Sequence, residues 1–348
     1  MRTIRLGKTE MMVSELGFGS IPIQRDSEDE AVAVVNKCLD LGITFIDTAN
    51  AYTNSEERIG KAISGWREGL ILATKSNSRT REGVASHLKQ SLRWLGVESI
   101  DLYQFHGVND FDAYAKVFDP NGPRAIVEEA KRAGQVKHIG ITSHSMDVAK
   151  EAVKSDCFET IQFPFNFVTC EPADELLPLA REHDVGFIAM KPLAGGILPN
   201  VTIAFKYLLQ FPDVVPIPGI EKRHEIDEII QVFQGPRQMT ETEQSEMQRL
   251  RKELGTKFCR RCDYCQPCPE EIPISLVMTV NSFFKRLPPQ TLFSGWVADG
   301  MEKASNCTKC GECEERCPYG LPIGEMVEEH INLYQAEKSK YQEHTASR

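Results

Sequence analysis

Apolar residues in the first 250 positions follow two alternating rhythms. Short runs rich in Ile, Val, Phe and Leu are separated by polar stretches in which apolar side chains recur every three or four positions. The runs are SELGFGS (14–20), ITFIDTA (43–49), LILATKS (70–76), SIDLYQFHG (99–107), VKHIGITS (136–143), TIQFPFN (160–166), VGFIAMKP (185–192) and VVPIPGI (214–220). Stretches between them, such as DEAVAVVNKCLDLG (29–42), have the period of an amphipathic helix and often end at Gly. Eight strand–helix units in this length predict an α/β fold, a closed parallel (β/α)8 barrel in preference to an open doubly wound sheet. The lack of a G-x-G-x-x-G fingerprint after the first run argues the same way. MRTIRLGKTEMMV, ahead of the first run, predicts a small hairpin over the barrel floor, and TETEQSEMQRLRKELG (240–255) predicts a further helix opened by a Thr cap.

Composition narrows the function classes. The chain has 348 residues, 41% hydrophobic and 26% charged, as in a water-soluble globular protein, and no run reaches the roughly 18 apolar residues of a membrane span. The opening MRTIRLGKTEMM has no apolar stretch followed by a small-residue cleavage site, so the expected compartment is the cytoplasm. A net charge of -10 argues against a general nucleic-acid or anionic-membrane surface, which needs a basic footprint. A small-molecule substrate or a protein partner remains.

In a parallel barrel, chemistry is expected where the strands end. Asp47 lies near the end of the second run, Tyr52 just beyond it, Lys75 near the end of the third and His106 near the end of the fourth. Singly, each has an ordinary alternative: a helix cap, surface packing, a solvated charge, a structural histidine. Together they aim an acid, a phenol, an amine and an imidazole at one mouth. The stretches GITFIDTANAYTNSEERIGKAI (42–63), LILATKS (70–76) and IDLYQFHGV (100–108), with LGFGS (16–20), HIGITS (138–143) and VVPIPGI (214–220), resemble the aldo-keto reductase family over roughly residues 1–235. That resemblance implies a TIM barrel that binds a nicotinamide dinucleotide without a Rossmann fold and passes hydride to a carbonyl carbon. Tyr52 would then protonate the developing alkoxide, Lys75, oriented by Asp47, would ease ionisation of the phenol, and His106 would hydrogen-bond the substrate oxygen or share the proton path.

The same resemblance implies cofactor contacts. Thr142, Ser143 and Gln162 are expected at the nicotinamide carboxamide, although ITSHS leaves open which of Thr142, Ser143 and His144 makes the contact. Met190 stands where an aromatic ring often stacks on the nicotinamide. The loop Leu193 to Gly196, which includes Gly195, is expected over the pyrophosphate, where glycine permits close backbone approach, and Lys191 and Pro192 just before it are also expected among the cofactor contacts. Gly219, Lys222 and Arg223 are expected toward the adenosine, but PGIEKRHEIDE (218–228) departs from the usual phosphate grip, with Glu225 where an Arg would be expected. NADP(H) is the family default and NAD(H) the alternative. Substrate loops such as NDFDAYAKVFDPNG (109–122) show no phosphate or carboxylate clamp, and the usual C-terminal specificity loop is replaced by a cysteine-rich region.

The cysteines mark a second region. Cys38, Cys157 and Cys170 are scattered and read as small buried hydrophobes, whereas the other eight of eleven lie between Cys259 and Cys317. The composition shift predicts a barrel over 1–255 and a small, mainly helical domain over 256–348. Cys307, Cys310, Cys313 and Cys317, followed by Pro318, have bacterial ferredoxin spacing for a 4Fe-4S cluster. Cys259, Cys262, Cys265 and Cys268, followed by Pro269, fall one residue short in the last interval. Two clusters are expected, each run lending its fourth cysteine to the other, so that Cys317 joins Cys259, Cys262 and Cys265 while Cys268 joins Cys307, Cys310 and Cys313. Two structural four-cysteine zinc sites are the competing reading. The insertion TVNSFFKRLPPQTLFSGWVADGMEKA (279–304) reads as helical, its aromatic residues building an interface with the barrel. A subset of the aldo-keto reductases looks similar, with a ferredoxin-like extension of this kind.

The leading expectation is an NAD(P)H-dependent reductase of a carbonyl, or dehydrogenase of an alcohol, with an appended iron–sulfur domain. Nicotinamide yields two electrons together and a 4Fe-4S cluster takes one at a time, and no flavin motif is recognisable to mediate between them. An electron-transfer oxidoreductase linking pyridine nucleotide to a ferredoxin-type redox partner is the second reading, and a cofactor sensor on the same scaffold is the third.

Overall fold

Each of the eight apolar runs becomes a strand. The structure is a computed structural model that describes residues 1–65 and 68–346. Two strands precede the barrel, β1 (Thr3–Arg5) and β2 (Met12–Ser14), paired antiparallel as the predicted hairpin. Then come β3 (Phe18–Gly19), β4 (Phe45–Asp47), β5 (Ile71–Ser76), β6 (Ile100–Phe105), β7 (Val136–Thr142), β8 (Thr160–Pro164), β9 (Gly186–Met190) and β10 (Val214–Ile217). Strands β3 to β10 form one parallel sheet in sequential order. It closes on itself through a Gly19–Gly219 bridge, with Gly17 N–H donating to Pro216 O at 2.9 Å and Gly19 N–H to Pro218 O at 2.8 Å. A Cβ on Gly19 would lie 2.8 Å from the carbonyl oxygens of Ile217 and Pro218, so the seam needs a residue without one. The result is a TIM-like (β/α)8 barrel.

Helices follow the strands: α1 (Glu28–Asp40), α2 (Ser55–Ala62), α3 (Arg81–Leu95), α4 (Phe111–Phe118), α5 (Pro123–Arg132), α6 (Met146–Lys154), α7 (Pro172–Glu182), α8 (Val201–Leu208), α9 (Arg223–Gln234) and α10 (Glu241–Gly255). Local chemistry sets their ends. Ser27 and Thr80 cap α1 and α3 by accepting the N–H groups of Glu30 and Gly83, and α3 stops at Gly96 with φ 67°. At α10 the predicted cap is reciprocal: Thr240 accepts the Glu243 N–H at 3.2 Å and Glu243 accepts the Thr240 N–H at 2.7 Å.

The barrel is filled from below by the hairpin. Leu6 and Val13 are fully buried with Phe45, Ala73, Leu102, Ile188, Val215 and Ile217. Lys8 N–H donates to Asp184 O at 2.6 Å and Arg5 pairs with Asp184 at 2.7 Å, just before β9 begins. The strand-start end is thereby sealed, which leaves the strand-end mouth for chemistry.

The chain divides into two compact units, Met1–Gln244 and Ser245–Arg348. The second contains α11 (Ile274–Val277), α12 (Val280–Phe283), α13 (Pro289–Phe293), α14 (Gly295–Ala304), α15 (Glu312–Glu315) and α16 (Ile323–Ala346). Residues of the 279–304 insertion, among them Val280, Phe283, Leu292, Val297 and Met301, build this unit's own apolar core with Ile274, Val277, Ile323 and Cys265. Among the described residues no helix is long and apolar enough to cross a membrane.

Candidate active site

Strands β4, β5 and β6 bring the four singled-out side chains to the mouth. Asp47 is the last residue of β4, Lys75 is the penultimate residue of β5, His106 follows β6 and Tyr52 lies in the turn between β4 and α2. Lys75 is completely buried, and its Nζ donates to Asp47 Oδ1 at 2.5 Å and to Thr48 O at 2.6 Å. The same Nζ lies 5.2 Å from the centroid of the half-buried Tyr52 ring. Tyr52 and His106 meet edge to face, with centroids 5.7 Å apart and planes at 83°. Acid, phenol, amine and imidazole thus form one contiguous group.

Electrostatics fixes the charge state of the amine. Burial drives the Lys75 pKa down, but the adjacent Asp47 and Tyr52 outweigh it, and the value ends above that of an ordinary lysine. Burial pushes Asp47 up, opposed by Lys75 and by hydrogen bonds from Gln104 and Gln162. Asp47 ends above the usual carboxylate range, and Lys75 Nζ, donating to Asp47 Oδ1 at 2.5 Å with both groups buried, has the geometry of an ammonium held by a carboxylate. Such a pair is weak evidence for stability, but losing one member leaves a buried uncompensated charge.

Three further residues support this group. Gln104 Nε2 donates to Asp47 Oδ2 at 3.1 Å, and the Thr48 carbonyl accepts from Lys75. Arg79 donates through Nη2 to the His106 and Gly107 carbonyls at 2.7 and 3.0 Å, fixing the backbone that carries the imidazole. A polar Gln inside the wholly buried IDLYQF strand is a signal for Gln104. Thr48 acts through its main chain and Arg79 through a long reach, and no local pattern announces either.

The expected cofactor residues gather around the same mouth. Thr142 Oγ1 accepts the Gly107 N–H at 2.8 Å, and Ser143 Oγ accepts the Ser145 N–H at 3.0 Å, so both hydroxyls already support nearby backbone. His144 N–H donates to Asn109 Oδ1 at 2.8 Å, and its Nε2 lies 2.9 Å from Lys191 Nζ across the mouth. Gln162 is buried, and its Oε1 has no hydrogen-bond partner among the described residues. That orphaned acceptor suits a carboxamide N–H. Met190 is half-buried at the end of β9. Beyond it, Lys191, Ala194, Gly195 and Gly196 all have positive φ, and Pro192 and Leu193 complete the turn. Left-handed non-glycine residues are uncommon and gather at ligand clamps. Gly219 sits at the seam, while Lys222 and Arg223 open α9.

The eight clustered cysteines divide between two cavities in the second unit. One is lined by Cys259, Cys262, Cys265 and Cys317, the other by Cys268, Cys307, Cys310 and Cys313. Three residues of one run therefore share each cavity with the fourth of the other. The runs also share an unusual backbone: Arg261 and Lys309, before the second cysteine, have φ of 62° and 56°, and Asp263 and Gly311, after it, have φ of 61° and 85°. Burial pushes the Cys262 and Cys265 thiols up to about 11 and about 12, and Cys313 upward, with neighbouring thiols adding to each shift. Among the described residues no group of three or more His, Cys, Asp or Glu converges tightly enough to hold a single metal ion. Of the scattered cysteines, Cys38 is fully buried, and Cys157 and Cys170 are partly so.

Comparison with known proteins agrees with the barrel fold. Residues 15–202 match the model of the aldo/keto reductase family. The uncharacterized oxidoreductase YqkF of Bacillus subtilis is 32% identical over 212 residues, 57% of this chain and 67% of that protein. L-galactose dehydrogenase of Arabidopsis thaliana is 30% identical over 213 residues, 56% of this chain and 66% of its own. Among solved structures, the holo form of aldo-keto reductase AKR11C1 from Bacillus halodurans is similar with a TM-score of 0.63 and 27% identity, covering 72% of this chain and 96% of that one. The chain belongs to the aldo/keto reductase family and is an NAD(P)-dependent oxidoreductase.

Proposed function

We propose that the barrel mouth transfers hydride between a nicotinamide dinucleotide and a small carbonyl or alcohol substrate, with Tyr52 as the proton donor. The observation that carries this reading is the buried Lys75–Asp47 pair at 2.5 Å, with the Tyr52 ring 5.2 Å from the ammonium and His106 against that ring. Gln162, through its orphaned Oε1, with Thr142, Ser143 and the Met190–Gly196 turn, would hold the dinucleotide. When bound there, it supplies a hydride.

In the reducing direction the carbonyl π electrons pass to the substrate oxygen, and the Tyr52 hydroxyl gives that oxygen its proton. The phenolate left behind faces the Lys75 ammonium, which lowers the cost of ionisation. Asp47, held by Gln104, keeps Lys75 charged and pointed inward. His106, its backbone pinned by Arg79, offers an imidazole beside the Tyr52 ring to hydrogen-bond the oxygen as charge develops. Tyr52→Phe is expected to lower carbonyl reduction by at least about 10²-fold while leaving dinucleotide affinity within about threefold, measured by steady-state kinetics and fluorescence titration. Full turnover in that variant would contradict the assignment.

The second unit is read as a ferredoxin-like domain holding two 4Fe-4S clusters, one in each cavity. Two observations support it: the three-plus-one partition of the cysteines and the matched left-handed positions in both runs. Such clusters supply one-electron storage. The exposure of Cys310 favours a second reading, in which the cluster ringed by Cys268, Cys307, Cys310 and Cys313 exchanges electrons with a ferredoxin-type partner. Under it, NAD(P)H turnover follows a one-electron acceptor instead of a carbonyl.

A further inference from the structure

The seam where β10 meets β3 gathers seven charged side chains at the strand-end face. They come from the segment after β3 (Arg25, Asp26), the first turn of α1 (Glu30) and the start of α9 (Glu221, Lys222, Arg223, Glu225). Every cation among them is matched to an acid. Arg25 Nη1 lies 2.9 Å from Glu221 Oε2, Lys222 Nζ 2.5 Å from Asp26 Oδ2, and Arg223 Nε 3.1 Å from Glu30 Oε1, with its Nη2 3.3 Å from Oε2. The fourth acid takes the helix end itself: Glu225 Oε2 accepts the Glu221 and Lys222 N–H groups at 2.7 and 2.8 Å.

An extra phosphate needs free cations or free N–H donors at a helix start. Here the donors serve Glu225 and the cations serve Asp26, Glu30 and Glu221. These seven side chains comprise four carboxylates and three cations, and behind them the buried Arg58 donates to the Asp26 carbonyl at 2.7 Å. The Glu221 carboxyl reports this setting: burial, aided by Glu225 and Asp26, holds it above the usual carboxylate range in spite of Arg25 and Lys222. A ribose 2′-hydroxyl, in contrast, is a donor that a carboxylate accepts, which is how acidic residues select NAD(H) in other dinucleotide sites.

Resting on the reading that the dinucleotide's adenosine lies toward Lys222 and Arg223, we propose that this acid-matched seam selects NAD(H) over NADP(H). Asp26 and Glu30 set the preference: they neutralise the two side chains that a 2′-phosphate would require and present carboxylates to a 2′-hydroxyl.

The test is equilibrium binding to the full-length protein, read by fluorescence titration with NADH and NADPH and by calorimetry with AMP and adenosine 2′,5′-bisphosphate. The native protein is expected to bind NADH at least about tenfold more tightly than NADPH, and AMP more tightly than the bisphosphate. The double variant Asp26→Asn, Glu30→Gln, which frees Lys222 and Arg223 and withdraws the carboxylates offered to the 2′-hydroxyl, is expected to gain about tenfold for NADPH and to lose about three- to tenfold for NADH. Tighter native binding of NADPH, or a double variant whose NADPH affinity does not rise, would overturn the selectivity and leave hydride transfer at the mouth standing. Binding of neither dinucleotide would overturn both.

Discussion

Lys75 illustrates what a single residue contributes and how far it can be read in advance. Its type and its place near the end of LILATKS mark it beside Asp47, Tyr52 and His106, because strand ends of a parallel barrel converge on one mouth. The partners that complete the site are less visible. Gln104 is a polar residue in an apolar strand, while Thr48 uses a carbonyl and Arg79 reaches from another segment to the His106 backbone. Charge networks away from the mouth are equally hidden. Glu159 receives Lys131 Nζ at 2.7 Å, the Ile139 N–H at 2.9 Å and faces His138 Nδ1 at 2.7 Å. Burial alone would raise its pKa, but these partners outweigh burial and hold it at about 2. A depressed carboxylate stabilises the fold above its unfolded value, and that stability is lost as pH falls through the folded one. Glu159→Gln should therefore destabilise the protein by about 1–2 kcal/mol at pH 6, after discounting for its partial exposure. In urea unfolding the gap from the native protein should narrow by pH 3.5; a gap that stays constant would show that packing, not charge, is responsible.

Elements are the scale at which the hydrophobic pattern is most informative. All eight strands fall inside the apolar runs, and the cap signals at Thr240 and the Gly ends mark real helix boundaries. The segment 109–122 differs. Its sequence reads as a mouth loop, yet Asp110 accepts the Ala113 N–H at 2.7 Å and starts α4, where Tyr114 and Phe118 stack at 4.3 Å. A cap followed by aromatic residues four apart is a helix signal that a search for ligand clamps overlooks. The N-terminal hairpin is faint in sequence because each strand has only three residues, and its strength lies in what it plugs. Leu6, fully buried at the closed end, fills space among strands from around the barrel. Leu6→Ala is expected to cost about 2–4 kcal/mol in denaturant unfolding, since strands bonded to their neighbours cannot collapse into the cavity. Its kcat should stay near native, because the mouth lies at the other end; a selective loss of kcat with unchanged stability would contradict the plug.

At the scale of the whole molecule, composition already separates the two units, since eight of the eleven cysteines fall between Cys259 and Cys317. The division lies at Gln244 and Ser245, inside α10, because the first turn of that helix is tied to the barrel by Glu243 and Lys206 at 2.7 Å, a pair no local pattern announces. Under the proposed cluster reading, the second unit would have a different energetic basis from the first. Its core includes Cys265, and Cys259, Cys268, Cys307, Cys313 and Cys317 pack against it, so the residues read as cluster ligands are also core residues. Where ligands and core coincide, metal-binding free energy becomes folding free energy. The full-length protein, purified without oxygen, is expected to contain iron and acid-labile sulfide and to absorb in the visible. Stripping the metal with a chelator under oxidising conditions should then raise amide hydrogen exchange across residues 256–346. Exchange in β3 to β10, which rests on barrel packing and the hairpin plug, should change little. Colourless, zinc-loaded protein would remove the iron–sulfur reading, and an equal rise of exchange in both units would show that the second unit's stability does not depend separately on its cysteines.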